Sequence, residues 1–438
     1  MTTVVSILMS DIVPLRDRGV WQGIINIIYA TGSGTGAPLG NKLLNSVRSS
    51  FVNFKQVEFW LITLAGGGMA PESDKLGFLT LTRSFIAQFP LCILAFVAVM
   101  VMLDLPVEED SHWKNKLRRI DFLGAIVLVG AVLGMLFGLD RGSNVSWSMP
   151  LTIVSLSVSG VLFVLFLLVE IYYAPEPFAP GHIIFDRTFF ASYGCNFFSF
   201  GGWMAGLFYV PLYFQAVDGV SATVAGLRLL PSIFAGVSGS LFAGFVMKWT
   251  GKYYWLTVIA YTLLTTGVAM MYAFSGGAAA DTVGMILGMV TAAFGNGIGV
   301  TTTLISLSES SQTPFFKLAD ADSTVSNATP EDQAVVTACS YLFRSLGSVV
   351  GLSLSSTVVQ QLLRTRLRTG LRGSKDIDRI VEGVRQSLDY IKTLDPAVGR
   401  VVRSCYGWAT NKGFGFMVAI VFFALVSSTF IRESKLNR

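Results

Sequence analysis

The chain has 438 residues, of which 52% are hydrophobic and only 13% charged, with a formal net charge of +5. A mean hydropathy of +0.61 and recurrent long apolar stretches exclude a soluble multidomain protein and define a polytopic helical membrane protein. The basic residues lie mostly in loops, so the charge calls for no nucleic acid. His112, His182 and the scattered Cys92, Cys195, Cys339 and Cys405 form neither a metal-ligand spacing nor a catalytic cluster; no enzyme activity, metal or other cofactor is expected.

Taken in chain order, residues 1–10 are apolar but too short to cross a bilayer, which takes ~20 apolar residues. They are expected to be the tail of a helix whose beginning is absent. A charged hairpin follows, with Asp11, Arg16, Asp17 and Arg18. It feeds a helix in which Gly32, Gly36 and Gly40 recur every four residues, with Pro38 among them. Glycines so spaced share one face, where a neighbouring helix can approach to backbone contact. Pro38 adds a kink. Apolar spans are expected at 19–40, 84–104, 121–139, 150–171, 188–214, 225–247, 253–274, 283–307, 333–360 and 413–431. Residues 41–83 and 309–330 carry no clean period and interrupt this pattern.

Loop charge orients the spans. Arg16, Arg18, the cluster Lys114 to Arg119, Lys248, Lys252 and Arg432 to Arg438 fall on one side, expected to be cytosolic. The sequon at Asn144 falls on the other side and is the glycosylation candidate; a second sequon at Asn327 is cytosolic. Residues 364–412 break the rule: a non-cytosolic loop with eleven Lys/Arg against five Asp/Glu. Within it Ile377, Ile380, Val381, Val384, Leu388 and Ile391 keep helical spacing, so an amphipathic helix is expected over the bundle or the membrane surface.

These motifs together resemble the major facilitator superfamily, in its fungal fourteen-helix drug/proton antiporter branch and, within that, the vacuolar basic amino acid transporter type. Ser10-Asp11 through Arg18-Gly19 with Gln22-Gly23 looks like the hairpin between that family's fourth and fifth helices. Gly32 to Gly40 is similar to its antiporter motif, with Gly36-Ala37-Pro38 where Gly-Pro is common. Asp121-Phe-Leu-Gly124 resembles the start of the seventh helix, and Pro211 to Gln215 with Ala225 to Pro231 the ninth-to-tenth region. Gly244, Gly251 and Lys252 look like a decayed loop motif, with Lys248 where an acid is usual. Asp332-Gln333-Ala334 and Tyr341 through Arg344 and Gly347 to Gly351 match the thirteenth helix. The resemblance implies that helices one to three and most of four are missing, and that 41–83, with part of 309–330, is retained intron in an incomplete gene model. It also implies that the membrane acid supporting proton coupling lies in those early helices; Asp140 and Glu170 sit at span ends and do not replace it. A chain beginning at Met1 is therefore expected not to perform coupled transport.

A transporter needs a cavity with a few polar groups. The candidates are Asn26, Asn196, Tyr209, Tyr213, Asn296 and Arg344. Each has a structural alternative. An intramembrane Asn often hydrogen-bonds a neighbouring helix, and Arg344 either faces the cavity or makes a structural pair or snorkels. Asn296 lies in the open run Gly295-Asn-Gly297-Ile-Gly299. Asp11, Arg16, Asp17 and Arg18 are expected to form a cytosolic charge network holding one conformation, while Gly32, Gly36, Pro38, Gly40, Gly347 and Gly351 serve packing. Gln215 and Arg228 flank a loop and read as structural.

The expected fold is all-α: a partial N-terminal bundle over 1–110, an extra helix pair over 111–180, and a complete six-helix bundle over 181–438. The resemblance implies a monomeric secondary transporter in the vacuolar or plasma membrane. It would exchange protons for small solutes, basic amino acids first and drugs or siderophores second. Its partners are the lipid bilayer, the solute and protons. A non-transporting receptor-like or scaffold protein, or an inactive fragment, is the reading of another class.

Overall fold

The computed structural model describes residues 17–28, 121–144, 147–172, 187–276, 281–310, 330–371, 380–381, 383–384 and 390–433, with 93, 97 and 101 as single positions. In hydrocarbon no water replaces a lost backbone partner, so apolar runs of this length satisfy themselves as helices. Every element among the described residues is helical. They are α1 over 17–28, then α2 (Phe122–Asn144), α3 (Pro150–Tyr172), α4 (Arg187–Ala216), α5 (Ala222–Leu227), α6 (Leu230–Thr250), α7 (Tyr254–Phe274), α8 (Thr282–Ser310), α9 (Pro330–Gly370), α10 (Tyr390–Thr393) and α11 (Pro396–Ser428). Eight described stretches are long and apolar enough to cross a membrane.

The chain divides into two units, residues 1–30 with 118–438, and residues 31–117. In the second, Ile93, Val97 and Val101 are helical and exposed; they fall within the span expected at 84–104. Asp11, Arg16 and the ladder Gly32, Gly36, Pro38 and Gly40 lie outside the described residues. So does the side chain of Asn144, which ends α2.

In the first unit, α4, α6, α7, α8, α9 and α11 pack as a six-helix group. Local signals set the helix ends. Asp121 caps α2 by accepting the Gly124 N–H at 2.8 Å, and Ser221 caps α5. Gly251 closes α6 in the left-handed region, φ +65°, with its N–H on Met247 O. The turn at Gly251 sets α6 and α7 antiparallel, and the Asp281 N–H, donating to Phe274 O at 3.0 Å, brings the start of α8 to the end of α7. The Tyr253 hydroxyl donates to Arg432 O at 3.1 Å, so α11 ends where α7 begins. The start of α11 and the end of α9 therefore lie at the opposite end of the group.

Small residues set the helix spacing. A Cβ added at Gly295 of α8 would fall 2.5 Å from Ala260 O of α7, and one at Gly201 of α4 would fall 3.0 Å from Gly347 O of α9. These are backbone approaches of the kind small residues permit in membranes. The extra pair α2 and α3 is tied by the Ser159 hydroxyl, which donates to Ala131 O at 2.6 Å. Leu133, Val161 and Leu167 on its outer face are exposed, as suits a lipid-facing surface.

Two boundaries differ from expectation. The helix expected at 333–360 runs from Pro330 to Gly370, and the one expected at 413–431 begins at Pro396. The stretch 364–412 is therefore helical at both ends rather than loop throughout. Arginines lower its hydropathy, but Leu363, Leu367 and Leu371, then Val402, Cys405 and Ala409, keep a buried stripe at helical spacing. Between them Ile380, Val381, Val384 and Ile391 are buried; Ile377 and Leu388 lie outside the described residues.

Candidate functional site: a polar core in a helical bundle

The glycine crossing of α4 and α9 brings Asn196 and Arg344 together. Gly201 meets Gly351 and Gly347 at the crossing, and one to two turns away the two polar side chains face each other inside the group. Arg344 Nε donates to Asn196 Oδ1 at 3.0 Å, and its Nη2 donates to Val300 O of α8 at 3.2 Å. The rings of Phe200 and Tyr341 lie 5.3 and 5.1 Å from the guanidinium carbon. Asn196 Nδ2 donates to Ser340 Oγ at 3.1 Å. Asn196 is fully buried and Arg344 only 5% exposed, yet among the described residues no carboxylate pairs with this guanidinium. Neutral acceptors and aromatic faces hold it instead. A cation in a membrane span costs ~2.5–3.5 kcal/mol on insertion scales and by default marks a functional position.

Asn296 belongs to the same interior. It precedes Val300 by four residues and Thr303 by seven, so all three share one stripe of α8. Thr303 contacts Asn196 Oδ1 at 3.3 Å while donating to Gly299 O at 2.7 Å. Asn296 is buried and its Oδ1 has no hydrogen-bond partner. The Tyr261 hydroxyl, buried on α7, lies beside Thr303 and Ser199. The core thus combines a cation with unfilled polar capacity around it.

A second feature joins α1 to α6. Asp17 Oδ1 lies 2.7 Å from Lys248 Nζ. Nearby, a Cβ added at Gly19 would fall 3.1 Å from Gly244 Cα, so the helices meet at backbone distance. Further along, Asn26 Nδ2 donates to Ser240 Oγ at 2.7 Å, and Ser240 Oγ lies 2.6 Å from Thr301 Oγ1. Either hydroxyl of that pair can be the donor, and Thr301 Oγ1 also lies 3.1 Å from Gly297 O of its own helix. The chain of bonds runs from α1 through α6 to α8. Arg18 is buried beside this contact.

The other candidates lie elsewhere. Tyr209 and Tyr213 follow Asn196 by 13 and 17 residues, roughly 20 and 26 Å along the helix. Tyr209 is buried; the Tyr213 hydroxyl donates to Ser275 O at 3.2 Å. They belong to the far end, where Asn411 Nδ2 donates to Tyr272 O at 2.6 Å and Ser275 Oγ at 2.8 Å. Arg228 bonds Asp218 at 2.6 Å and stacks on Phe214; Gln215 Nε2 donates to Pro211 O. Both are local ties. Sequence reasoning missed Ser240, Tyr261, Thr301, Thr303, Ser340 and Asn411. Ser and Thr are too common in membrane helices to stand out, and Asn411 fell in the stretch read as loop. Among the described residues no group of His, Cys, Asp and Glu is placed to hold a metal.

With this geometry in view, the relatives are informative. No family model matches the chain. It is 33% identical over 454 residues to the vacuolar membrane amino acid uptake transporter fnx2 of Schizosaccharomyces pombe, covering 100% of this chain and 67% of that protein. It is 29% identical over 427 residues to the multidrug resistance protein fnx1 of the same yeast, covering 96% and 70%. It is 25% identical over 431 residues to vacuolar basic amino acid transporter 2 of Saccharomyces cerevisiae, covering 94% and 79%. Eight described stretches long and apolar enough to cross a membrane, together with relatives along the whole chain that are membrane transporters, make this an integral membrane transporter for small molecules. The chain belongs to the fungal transporters of the major facilitator superfamily.

Proposed function

We propose that the transporter of which this chain is part is a proton-coupled antiporter of the vacuolar membrane whose favoured substrates are basic amino acids, its coupling acid lying on the early helices that the family resemblance implies. The similarity to the fnx2 uptake transporter along the whole chain carries this reading. The name of the Saccharomyces relative supports the basic class. In this reading Arg344 receives the substrate's α-carboxylate, because a buried guanidinium with no carboxylate partner among the described residues is the group best suited to one. Asn296 supplies an open amide beside it. The Asp17–Lys248 pair and the Gly19–Gly244 approach hold one end of the transport path closed, and breaking them opens it. The protein works as a monomer.

The test is uptake of radiolabelled lysine, arginine and histidine into acidified vacuolar vesicles. Uptake abolished by a protonophore is the expected result; uptake insensitive to it would remove the proton-coupled reading. Drug export is the second reading, favoured by the similarity to the fnx1 multidrug resistance protein. It predicts drug sensitivity of a deletion strain with normal vesicle uptake.

A further inference from the structure

Where α9 ends and α11 begins, at the end of the six-helix group opposite Lys248, a hollow of about 610 Å³ opens between the two helices. One wall is Arg366, Thr369 and Gly370 of α9; the other is Ala397, Arg400 and Ser404 of α11. Thr369 and Gly370 follow Arg366 by three and four residues, and Ala397, Arg400 and Ser404 are spaced by three and four, so each wall is one helix face. The helices approach closely at Gly370, where an added Cβ would fall 3.3 Å from both Cys405 Sγ and Val401 Cγ1.

Among the described residues, the acids around it are taken. Asp218 is held by Arg228 at 2.6 Å. Asp281 caps α8 through the N–H groups of Val283 and Gly284. Asp395 caps α11 through Ala397 N–H at 2.8 Å. Each of these acids is committed locally. Arg366, Arg400 and the neighbouring Arg403 have no acidic partner among the described residues. The Arg366 guanidinium carbon lies over the Trp408 ring, 5.1 Å from its centre, a cation–π contact that favours this position beside the hollow. The Ser404 hydroxyl is exposed, and it faces the same space.

We infer that this hollow is an anion site for phosphate-bearing groups, with Arg366 and Arg400 as its cationic walls and Ser404 as a hydroxyl donor. Two arginines on opposing helices suit a tetrahedral oxyanion, because each fork offers parallel N–H donors to two oxygens. The site lies at the ends of two membrane-spanning helices with a tryptophan beside it, the level at which lipid headgroups sit. The phosphate therefore belongs to a lipid headgroup or to a soluble oligophosphate at the membrane surface. The site is separate from the Arg344 core and does not depend on the substrate assignment.

The full chain is reconstituted in phosphatidylcholine nanodiscs. Tripolyphosphate is titrated and followed by tryptophan fluorescence; separately, protein purified from native membrane is examined by native mass spectrometry for retained lipid. Arg366→Gln/Arg400→Gln is compared with wild type and with Arg432→Gln, a change at the opposite end. Binding weakened at least about tenfold in the double variant, the scale of losing one charge-assisted hydrogen bond, is the expected result in one arm. Loss of tripolyphosphate affinity alone assigns a soluble phosphate, and loss of retained anionic lipid alone assigns a headgroup. Double-variant binding within twofold of wild type in both arms would overturn the site. Gly370→Leu fills the hollow without touching either arginine and must weaken binding similarly; if it binds as wild type, the hollow is not the site. Arg400→Gln alone, which leaves the Trp408 stack in place, replaces the double variant if that one does not fold. Amino acid uptake is not a readout here, so failure of this site and failure of the transport reading remain distinguishable.

Discussion

Replacing Asn196 by Leu removes the acceptor of the Arg344 Nε hydrogen bond at 3.0 Å and the neutral bond to Ser340 Oγ at 3.1 Å; the bond to the charged group is the larger loss. The guanidinium keeps Val300 O and two aromatic faces but loses its side-chain partner in a position 5% exposed. A hydrogen bond to a charged group contributes about 1.5–3 kcal/mol, while side-chain pairs in membranes average ~0.6 and reach ~1.7 kcal/mol. The Asn196→Leu cost is therefore expected near the overlap, about 1.5–2 kcal/mol. Arg344→Met removes the charge itself, and Asn196 retains Ser340 and a long contact with Thr303. That variant is expected to lose less than about 1 kcal/mol. Combining the two leaves no unpartnered cation, so the double variant is expected to recover about 1 kcal/mol relative to the sum of the singles. Unfolding by SDS in mixed micelles measures all three. Additivity within ~0.5 kcal/mol would show that the two residues do not act as a pair and would refute the core as described. Lysine uptake separates function from stability: Arg344→Met should fold yet transport at a small fraction of wild type. Unchanged uptake would remove Arg344 from the substrate site.

Three further outcomes follow from the packing. Gly351→Leu pushes a side chain into the Gly201 backbone and should cost about 1–3 kcal/mol or prevent folding, read as loss of monodisperse protein; Gly160→Leu, at a position with nothing within 4 Å, is the neutral control. Ser240→Val breaks the bond chain from Asn26 to Thr301 and should destabilise by about 1–2 kcal/mol, measured by thermal unfolding in detergent. Asp17 and Lys248 are 39% and 46% exposed, so their pair is worth at most ~1 kcal/mol to stability. Asp17→Lys should nonetheless impair uptake, and adding Lys248→Asp should restore it; no restoration would deny the pair a part in the transport cycle.

The apolar spans were legible because a bilayer leaves the backbone one solution per stretch, and 20 consecutive apolar residues announce it. The helices α2, α3, α4, α7 and α8 begin and end within a few residues of expectation. The end of α9 and the start of α11 were not legible, because five arginines within them, Arg364, Arg366, Arg368, Arg400 and Arg403, pull hydropathy down while the buried stripe persists underneath. Arg344 and Asn196 were visible as rare polar residues in spans, but not as a pair: they are 148 positions apart, and only the Gly201–Gly351 crossing brings them into contact. Lys248 shows the same limit from another side. In sequence it is a base where the family usually has an acid, and so looked like decay. In the fold it faces Asp17 at 2.7 Å, so the contact between α1 and α6 retains opposite charges. A motif that departs from its family's pattern at one residue can still supply an ion pair, and the partner that decides this lies on another helix, 231 residues away.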